Sequence, residues 1–278
     1  MIDIKQALKK AVLHLSLTSP TPQLDAEILL CHVLKKNRAY LYAYSEHVLD
    51  TSSHQLFESL IEKRFEGMPI AYLTQEREFW SLPLYVTSDT LIPRPETELL
   101  IDLALSLLGQ RSHCSVLELG TGTGAISIAL ATEKPEWKIV ATDISKPALC
   151  VAQKNIERHQ LHNITLMESN WFQTIPNQTF DLIISNPPYL AEHDPHQHQG
   201  DLRYEPKQAL VSGEDGLNDI KTIIKTSRHY LVTGGLLLLE HGYNQAQDVA
   251  ECLLSEQYHH VQCWQDTAGL DRVSAGSY

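Results

Sequence analysis

Long apolar runs are missing from this sequence. No stretch approaches the roughly 18–20 apolar residues of a membrane span, and Leu236–Leu239 is only long enough for a buried strand. The opening MIDIKQALKK has helical periodicity and an early Asp3, not a basic segment followed by an apolar one, so no secretory leader is expected. Cysteine is sparse: Cys31, Cys114, Cys150, Cys252 and Cys263 are widely spaced and never form a Cys-x-x-Cys pair. That excludes a disulfide framework or zinc ribbon and points to reduced thiols in the cytoplasm. There is no Lys/Arg-dense segment either. With 22 Lys+Arg against 34 Asp+Glu the formal net charge is −12, which weighs against gripping long nucleic acid through many phosphates. Repeats and low-complexity tracts are absent as well. What is present, 43% hydrophobic and 20% charged residues over 278 positions, is the composition of a folded chain with one large domain or two smaller ones.

The first 71 residues read as a small helical bundle. Ile4, Leu8, Ala11, Val12 and Leu15 recur on one helical face. Thr21-Pro22 has the form of an N-cap and first-turn proline opening a second helix through Leu24, Ile28 and Val33. A third is expected from Ser52, with Gln55 in capping-box position, until Gly67 and Pro69 stop it. Residues 72–92 change to Phe79, Trp80, Leu82, Leu84, Tyr85 and Val86 around Pro83, the pattern of a hairpin linking two domains. From 93 to 278, after a proline-stiffened turn and the helix bearing Leu99 to Leu108, strand-like runs alternate with helical ones. Strands are expected at 115–119, 138–142, 164–167, 181–185, 235–240 and 260–264, and helices at 125–133, 146–159, 218–231 and 244–256. Such alternation specifies an α/β fold, a mainly parallel sheet with helices on both faces.

Four strand ends carry chemistry. Leu117–Leu119 runs into Gly120-Thr121-Gly122-Thr123-Gly124 and then a helix. Alternating glycines let the backbone turn sharply and a ligand approach where a Cβ would collide. The third glycine comes one residue too early for the dinucleotide fingerprint, and the spacing resembles that of S-adenosylmethionine (SAM) enzymes. Asp143 ends the next strand, where an acid can accept both ribose hydroxyls or cap the following helix. Trp171 follows the third strand and reads either as a core aromatic or as a stacking platform for adenine.

The fourth strand ends in Asn186-Pro187-Pro188-Tyr189. The prolines fix φ, lack N–H groups and hold their predecessors extended, so the Asn186 oxygen and the Pro187 carbonyl can converge on one planar NH₂ group under the Tyr189 ring. Such a nitrogen is a poor nucleophile because its lone pair is delocalised. Two acceptors on its hydrogens favour a localised lone pair, and their bonds strengthen as positive charge develops on nitrogen. Asn186, Pro187 and Tyr189 are thus the candidate catalytic residues, and Asn186 to Tyr189 the substrate-binding ones. The His-rich loop Glu192–Pro206, with His193, Asp194, His196 and His198, reads as solvated; no step in this chemistry needs a metal, and no metal ligands are assigned. Glu240-His241 resembles an acid–base pair but sits where a strand-end turn is expected.

These residues resemble the HemK/PrmC family of release-factor glutamine N5-methyltransferases. The match takes in IPRPETE (Ile92–Glu98), LELGTGTG (Leu117–Gly124), SNPPY (Ser185–Tyr189), Asp194-Pro195, Gly200-Asp201, Glu205-Pro206, LEHG (Leu239–Gly242) and Asp271-Arg272-Val273. Amino-methylating nucleic-acid enzymes share NPPY, so adenine N6 is the alternative acceptor; IPRPETE and the helical N-terminus carry the distinction. The resemblance implies a Rossmann-like methyltransferase domain. It implies SAM held by Gly120, Thr121, Gly122, Thr123, Gly124, Asp143, Trp171 and Asn186, with S-adenosylhomocysteine as product. It also implies the GGQ glutamine of class-1 peptide chain release factors as substrate, docked with help from the N-terminal bundle. A cytoplasmic monomer acting without nucleic acid or membrane is expected. Asn170 departs from the family, where Asp is common.

Overall fold

The computed structural model describes residues 2–278 apart from the His198 side chain; Met1, at the head of the 1–71 region, and that histidine of the His-rich loop lie outside the description. The chain divides into two compact units: Met1–Glu76 with His198–Tyr204, and Arg77–Gln197 with Glu205–Tyr278. This division differs from the sequence reading in placing seven residues of the His-rich loop with the helical unit.

In the first unit α1 (Ile4–Leu15) is opened by Asp3, whose carboxylate accepts from the Gln6 amide at 2.7 Å in a capping box. Its Ile4, Ala7, Ala11 and Leu15 are buried with Leu29 and Leu30 of α2 (Pro22–Leu34), Leu41 of α3 (Arg38–Ala43), Phe57, Leu60 and Ile61 of α4 (Thr51–Phe65), and Leu73 of α5 (Ile70–Thr74). The cap of α4 is Asp50, not Ser52: its Oδ1 takes the Ser53 amide at 2.9 Å. Thr21 caps nothing, because its hydroxyl donates to the buried Asp25 at 3.0 Å, which Arg64 pairs at 2.7 Å. Tyr204 donates its hydroxyl to the Glu66 carbonyl at 2.6 Å and Asp201 lies 3.8 Å from Arg64, so the expectation of a solvated loop fails over this stretch.

The second unit opens with the hairpin β1 (Glu76–Phe79) and β2 (Leu82–Tyr85), whose first residue belongs to the helical unit, and continues into α6 (Glu98–Leu108). Then follow β3 (Ser115–Leu119), α7 (Ala125–Glu133), β4 (Lys138–Asp143), α8 (Lys146–Arg158), β5 (Ile164–Glu168) and β6 (Phe180–Ser185). Next come α9 (Asn218–Ser227), β7 (Leu231–Glu240), α10 (Ala246–Ser255), β8 (His259–Gln265) and β9 (Asp271–Ser277). The seven-stranded sheet has the order β5-β4-β3-β6-β7-β9-β8, with β9 antiparallel to both neighbours and the other pairs parallel. Successive residues of a strand point to opposite faces. Val116, Leu182, Ile184 and Leu238 accordingly enter one core with α6 and α7, while Leu117, Ile183, Leu237 and Leu239 enter another with α9 and α10. Sheets covered on both faces need such continuous apolar strands. Chain order reverses between β3 and β6, where open α/β sheets form their ligand crevice at the strands' carboxyl ends.

Candidate active site

A cleft of about 260 Å³ lies at that crevice, lined by the ends of β3 and β4, by the segments that follow β3, β4, β5 and β6, and by residues between Asp89 and Thr97 ahead of α6. Gly120, Gly122 and Gly124 have φ of +72°, +54° and +84°, so each alternate residue of the loop adopts the left-handed conformation that glycine alone takes without strain. The loop is held from three sides. Thr121 donates its amide to the Thr142 carbonyl at 2.8 Å, Gly122 donates to Asp143 Oδ2 at 2.8 Å, and Asn155 Nδ2 donates to the Thr123 carbonyl at 2.9 Å. Asn155 is itself fully buried and exchanges two further bonds with the Tyr85 backbone at 2.7 and 2.9 Å. A Cβ at Gly122 would meet nothing within 4 Å, so this backbone faces open cleft.

Asp143 accepts the Ser145 amide on Oδ1 at 2.9 Å and Gly122 on Oδ2. It does not cap α8; Ser145 does, accepting from the Ala148 amide at 3.3 Å. Asp143 lines the cleft, and its carboxylate keeps acceptor capacity beyond these bonds. Burial raises the Asp143 pKa, against which the Ser145 and Gly122 amides act. Trp171 sits at φ +49°, its indole N–H donating to Asp219 Oδ1 at 3.0 Å, and its ring lies 3.8 Å from where a Gly120 Cβ would be. It lines the cleft beside Asn170 while its body packs on the second sheet core.

Ser185, buried at the end of β6, donates to the Leu119 carbonyl at 2.7 Å and so locks Asn186 against the glycine loop. Asn186 and Pro188 line the cleft; Pro187 is buried, and Tyr189 is not among the lining residues. The Tyr189 hydroxyl instead points at Glu240 Oε1, 3.5 Å away, and burial with the Glu240 charge raises its pKa. The loop beyond is anchored: Gln245 Nε2 donates to the Tyr189 carbonyl at 3.0 Å, and Leu190 and Glu192 donate to the carbonyls of Leu210 and Gly213, each at 2.8 Å.

Several residues of the site carried no individual role in the sequence reading. Glu118, 1% exposed beneath the glycine loop, accepts from the Thr121 hydroxyl at 2.7 Å and from the Ser127 amide at 3.1 Å as well as its hydroxyl. Burial pushes its carboxyl up to about 7. Glu205, also buried, takes the Ile92 amide at 3.2 Å and Arg94 at 2.6 Å, which pins the IPRPETE turn, and Thr97 accepts from Asn186 Nδ2 at 3.0 Å. The polar residues of IPRPETE and Glu205 sat inside quoted motifs; only their pairing was hidden. His241 is buried: its ring contacts Ser274 Oγ at 2.8 Å and its own strand-end turn at Gly242 O at 2.9 Å, and burial lowers its pKa. Among the described residues no group of three His, Cys, Asp or Glu could hold a metal ion, and no helix is long and apolar enough to cross a membrane.

The chain matches two families, the methyltransferase small domain over residues 97–213 and the PrmC N-terminal domain over residues 6–74. It is 45% identical to the release factor glutamine methyltransferase of Escherichia coli (strain K12), across 100% of this chain and 99% of that one. It is 44% identical to the protein of the same name from Coxiella burnetii, across 98% of each. Among solved structures, the hMettl16 catalytic domain in complex with MAT2A 3'UTR hairpin 1 superposes with a TM-score of 0.60 over 89% of this chain and 90% of that one. At 16% identity that likeness is one of fold.

Proposed function

Since the chain belongs to the release factor glutamine methyltransferase family, we propose that it transfers a methyl group from SAM to the side-chain amide nitrogen (N5) of the GGQ glutamine in class-1 peptide chain release factors. The observation that carries this reading is the convergence of the glycine loop, Asp143 and Asn186 on one cleft. The cleft fits the cofactor. Open backbone at Gly122 admits the methionine end, the remaining acceptor capacity of Asp143 suits ribose hydroxyls, and Trp171 offers a flat face for adenine. When bound, SAM supplies an activated methyl group on a sulfonium, with a neutral thioether as leaving group.

The chain's own residues then do the rest. The Asn186 amide donates its N–H to Thr97, which leaves Asn186 Oδ1 as an acceptor for the cleft. Oδ1 takes one hydrogen of the substrate amide; the Pro187 carbonyl, which does not line the cleft here, takes the other only once bound substrate reaches it, and together they orient the lone pair along the transfer direction. These bonds strengthen as the nitrogen gains positive charge, so they act on the transition state more than on the ground state. Alignment dominates, because a good leaving group lessens the call for a strong base. Pro188 walls the cleft, and Tyr189, tied through its hydroxyl to Glu240, braces the motif from behind. The helical unit serves as the docking surface for the protein substrate. We read the enzyme as a cytoplasmic monomer that acts without nucleic acid, supported by the net charge of −12.

Asn186→Ala is expected to lower kcat by roughly 100-fold or more while SAM affinity stays within about threefold. Transfer assays with labelled SAM and calorimetric titration of SAM check both halves. Full activity in this variant contradicts the mechanism.

A further inference from the structure

Trp171 adopts φ +49°, a left-handed conformation that a bulky side chain takes only under constraint. Its neighbours supply that constraint. Buried Ser169 donates its hydroxyl to the Trp171 carbonyl at 2.7 Å and accepts the Thr174 amide at 3.2 Å, while its own amide donates to the Asp143 carbonyl at 3.0 Å. Trp171 is thus tied through the backbone to Asp143. The ring is fixed separately. Its Cζ3 corner lies 3.8 Å from where a Gly120 Cβ would stand, and Nε1, on the other ring of the indole, donates to Asp219 Oδ1 at 3.0 Å. Trp171 and Asp219 both line the cleft.

We propose that Asp219 is a positioning residue for the cofactor's adenine, acting through the Trp171 indole. An indole has one polar atom, a donor, and a carboxylate only accepts, so the bond between them has one possible sense. It is charge-assisted and belongs among the stronger side-chain bonds. A ring free to turn about its side-chain torsions presents its face to the cleft only part of the time. Held at both ends, by contact at Gly120 and by the bond to Asp219, it keeps that face in place before the cofactor arrives, and binding does not have to order it. The protein, not the cofactor, then sets the plane in which adenine stacks.

Asp219 is itself anchored. It stands in the first turn of α9, and its amide donates to the Oγ of buried Ser212 at 2.8 Å. Ser212 in turn donates its amide to the Leu190 carbonyl at 3.0 Å. Leu190 directly follows Tyr189, so the residue that orients the adenine platform is pinned to the segment that carries the acceptors for the substrate amide. Beyond the bond to Trp171, the Asp219 side chain makes no hydrogen bond among the described residues, which leaves the indole as its one fixed partner there.

The inference rests on the reading of Trp171 as the adenine platform. Its test is a double-mutant cycle on SAM affinity, read by calorimetric titration of the full chain carrying Trp171→Phe, Asp219→Ala or both. Asp219→Asn and Trp171→Ala run alongside, and Tm reports folding. Asp219→Ala is expected to weaken SAM binding roughly 5- to 20-fold, and Asp219→Asn, which keeps an acceptor oxygen, to stay within about threefold of wild type. Phenylalanine has no N–H, so adding Asp219→Ala to Trp171→Phe should weaken binding by less than about twofold more. A carboxylate that merely supported α9 would give the same loss in both backgrounds. In transfer assays with release factor, KM for SAM should rise with the dissociation constant while kcat falls much less. Wild-type SAM affinity in folded Asp219→Ala, or equal losses from Asp219→Ala in the two backgrounds, overturns the proposal. Should Asp219→Ala fail to fold, Asp219→Ser, whose hydroxyl ends one bond short of the carboxylate oxygen, takes its place in the cycle with the same outcomes. Wild-type SAM affinity in Trp171→Ala removes the underlying reading of the site, whereas a loss there with an unaffected Asp219→Ala removes this inference alone.

Discussion

Glu118 shows how a single side chain couples the site to stability. Three donors from Thr121 and Ser127 make the carboxylate an organiser of the glycine loop, yet burial dominates and holds its proton up to about pH 7, against an ordinary value of 4.5. The native state therefore binds more protons than the unfolded chain between about 4.5 and about 7. Stability from this group is complete below that window and declines as pH rises through it. Between about pH 5 and about pH 8 the wild type should lose roughly 2–3 kcal/mol relative to Glu118→Gln in urea unfolding. Parallel losses in the two proteins would contradict this. The residue types of the site were legible because glycine spacing, Asp143 and NPPY are local patterns. What each side chain touches was not. Tyr189 turns its hydroxyl toward Glu240, and Asp143 leaves the helix cap to Ser145; both outcomes depend on partners 51 and 2 positions away competing in space.

At the scale of elements, the loop after β6 is set by backbone packing. Gly216 lies at φ +76°, and a Cβ there would stand 2.3 Å from the Tyr189 carbonyl oxygen. Gly216→Ala must displace that carbonyl, which Gln245 otherwise holds at 3.0 Å, by about 1 Å, and with it the end of NPPY. We expect kcat to drop roughly 10- to 100-fold with SAM affinity nearly unchanged, measured by transfer and titration side by side. Equal loss of SAM affinity would instead place the damage in the glycine loop. Long elements with strong periodicity were readable to within a few residues; β7 begins at Leu231 where Gly235 was expected, with a register shift against β6 near Phe180. Short or unpatterned ones were not. Helices α3 and α5 have six and five residues, too few to show a period. Strand β9, DRVSAGS, has one β-branched residue and owes its form to its place between β7 and β8, where Gly276 leaves room for the Tyr258 ring.

For the whole molecule, alternation of strands and helices specified the sheet, and the strand order then decides where chemistry occurs. The reversal between β3 and β6 gathers Gly120–Gly124, Asp143, Trp171 and Asn186 at one crevice although they span 67 positions of chain. The sequence reading divides the chain at 71 and 92 from its change of periodicity. The assignment of residues 198–204 to the helical unit was not foreseen, since it rests on contacts of Asp201 and Tyr204 with Arg64 and Glu66 across more than 130 positions. The net charge of −12 weighs against a polyanionic acceptor. The most direct measurement is a transfer assay with labelled SAM that offers, in parallel, purified release factor, the same factor with its GGQ motif changed to GGA, and duplex DNA. The account predicts label on the wild-type factor alone. Label on DNA, or equally on the GGA factor, would contradict it.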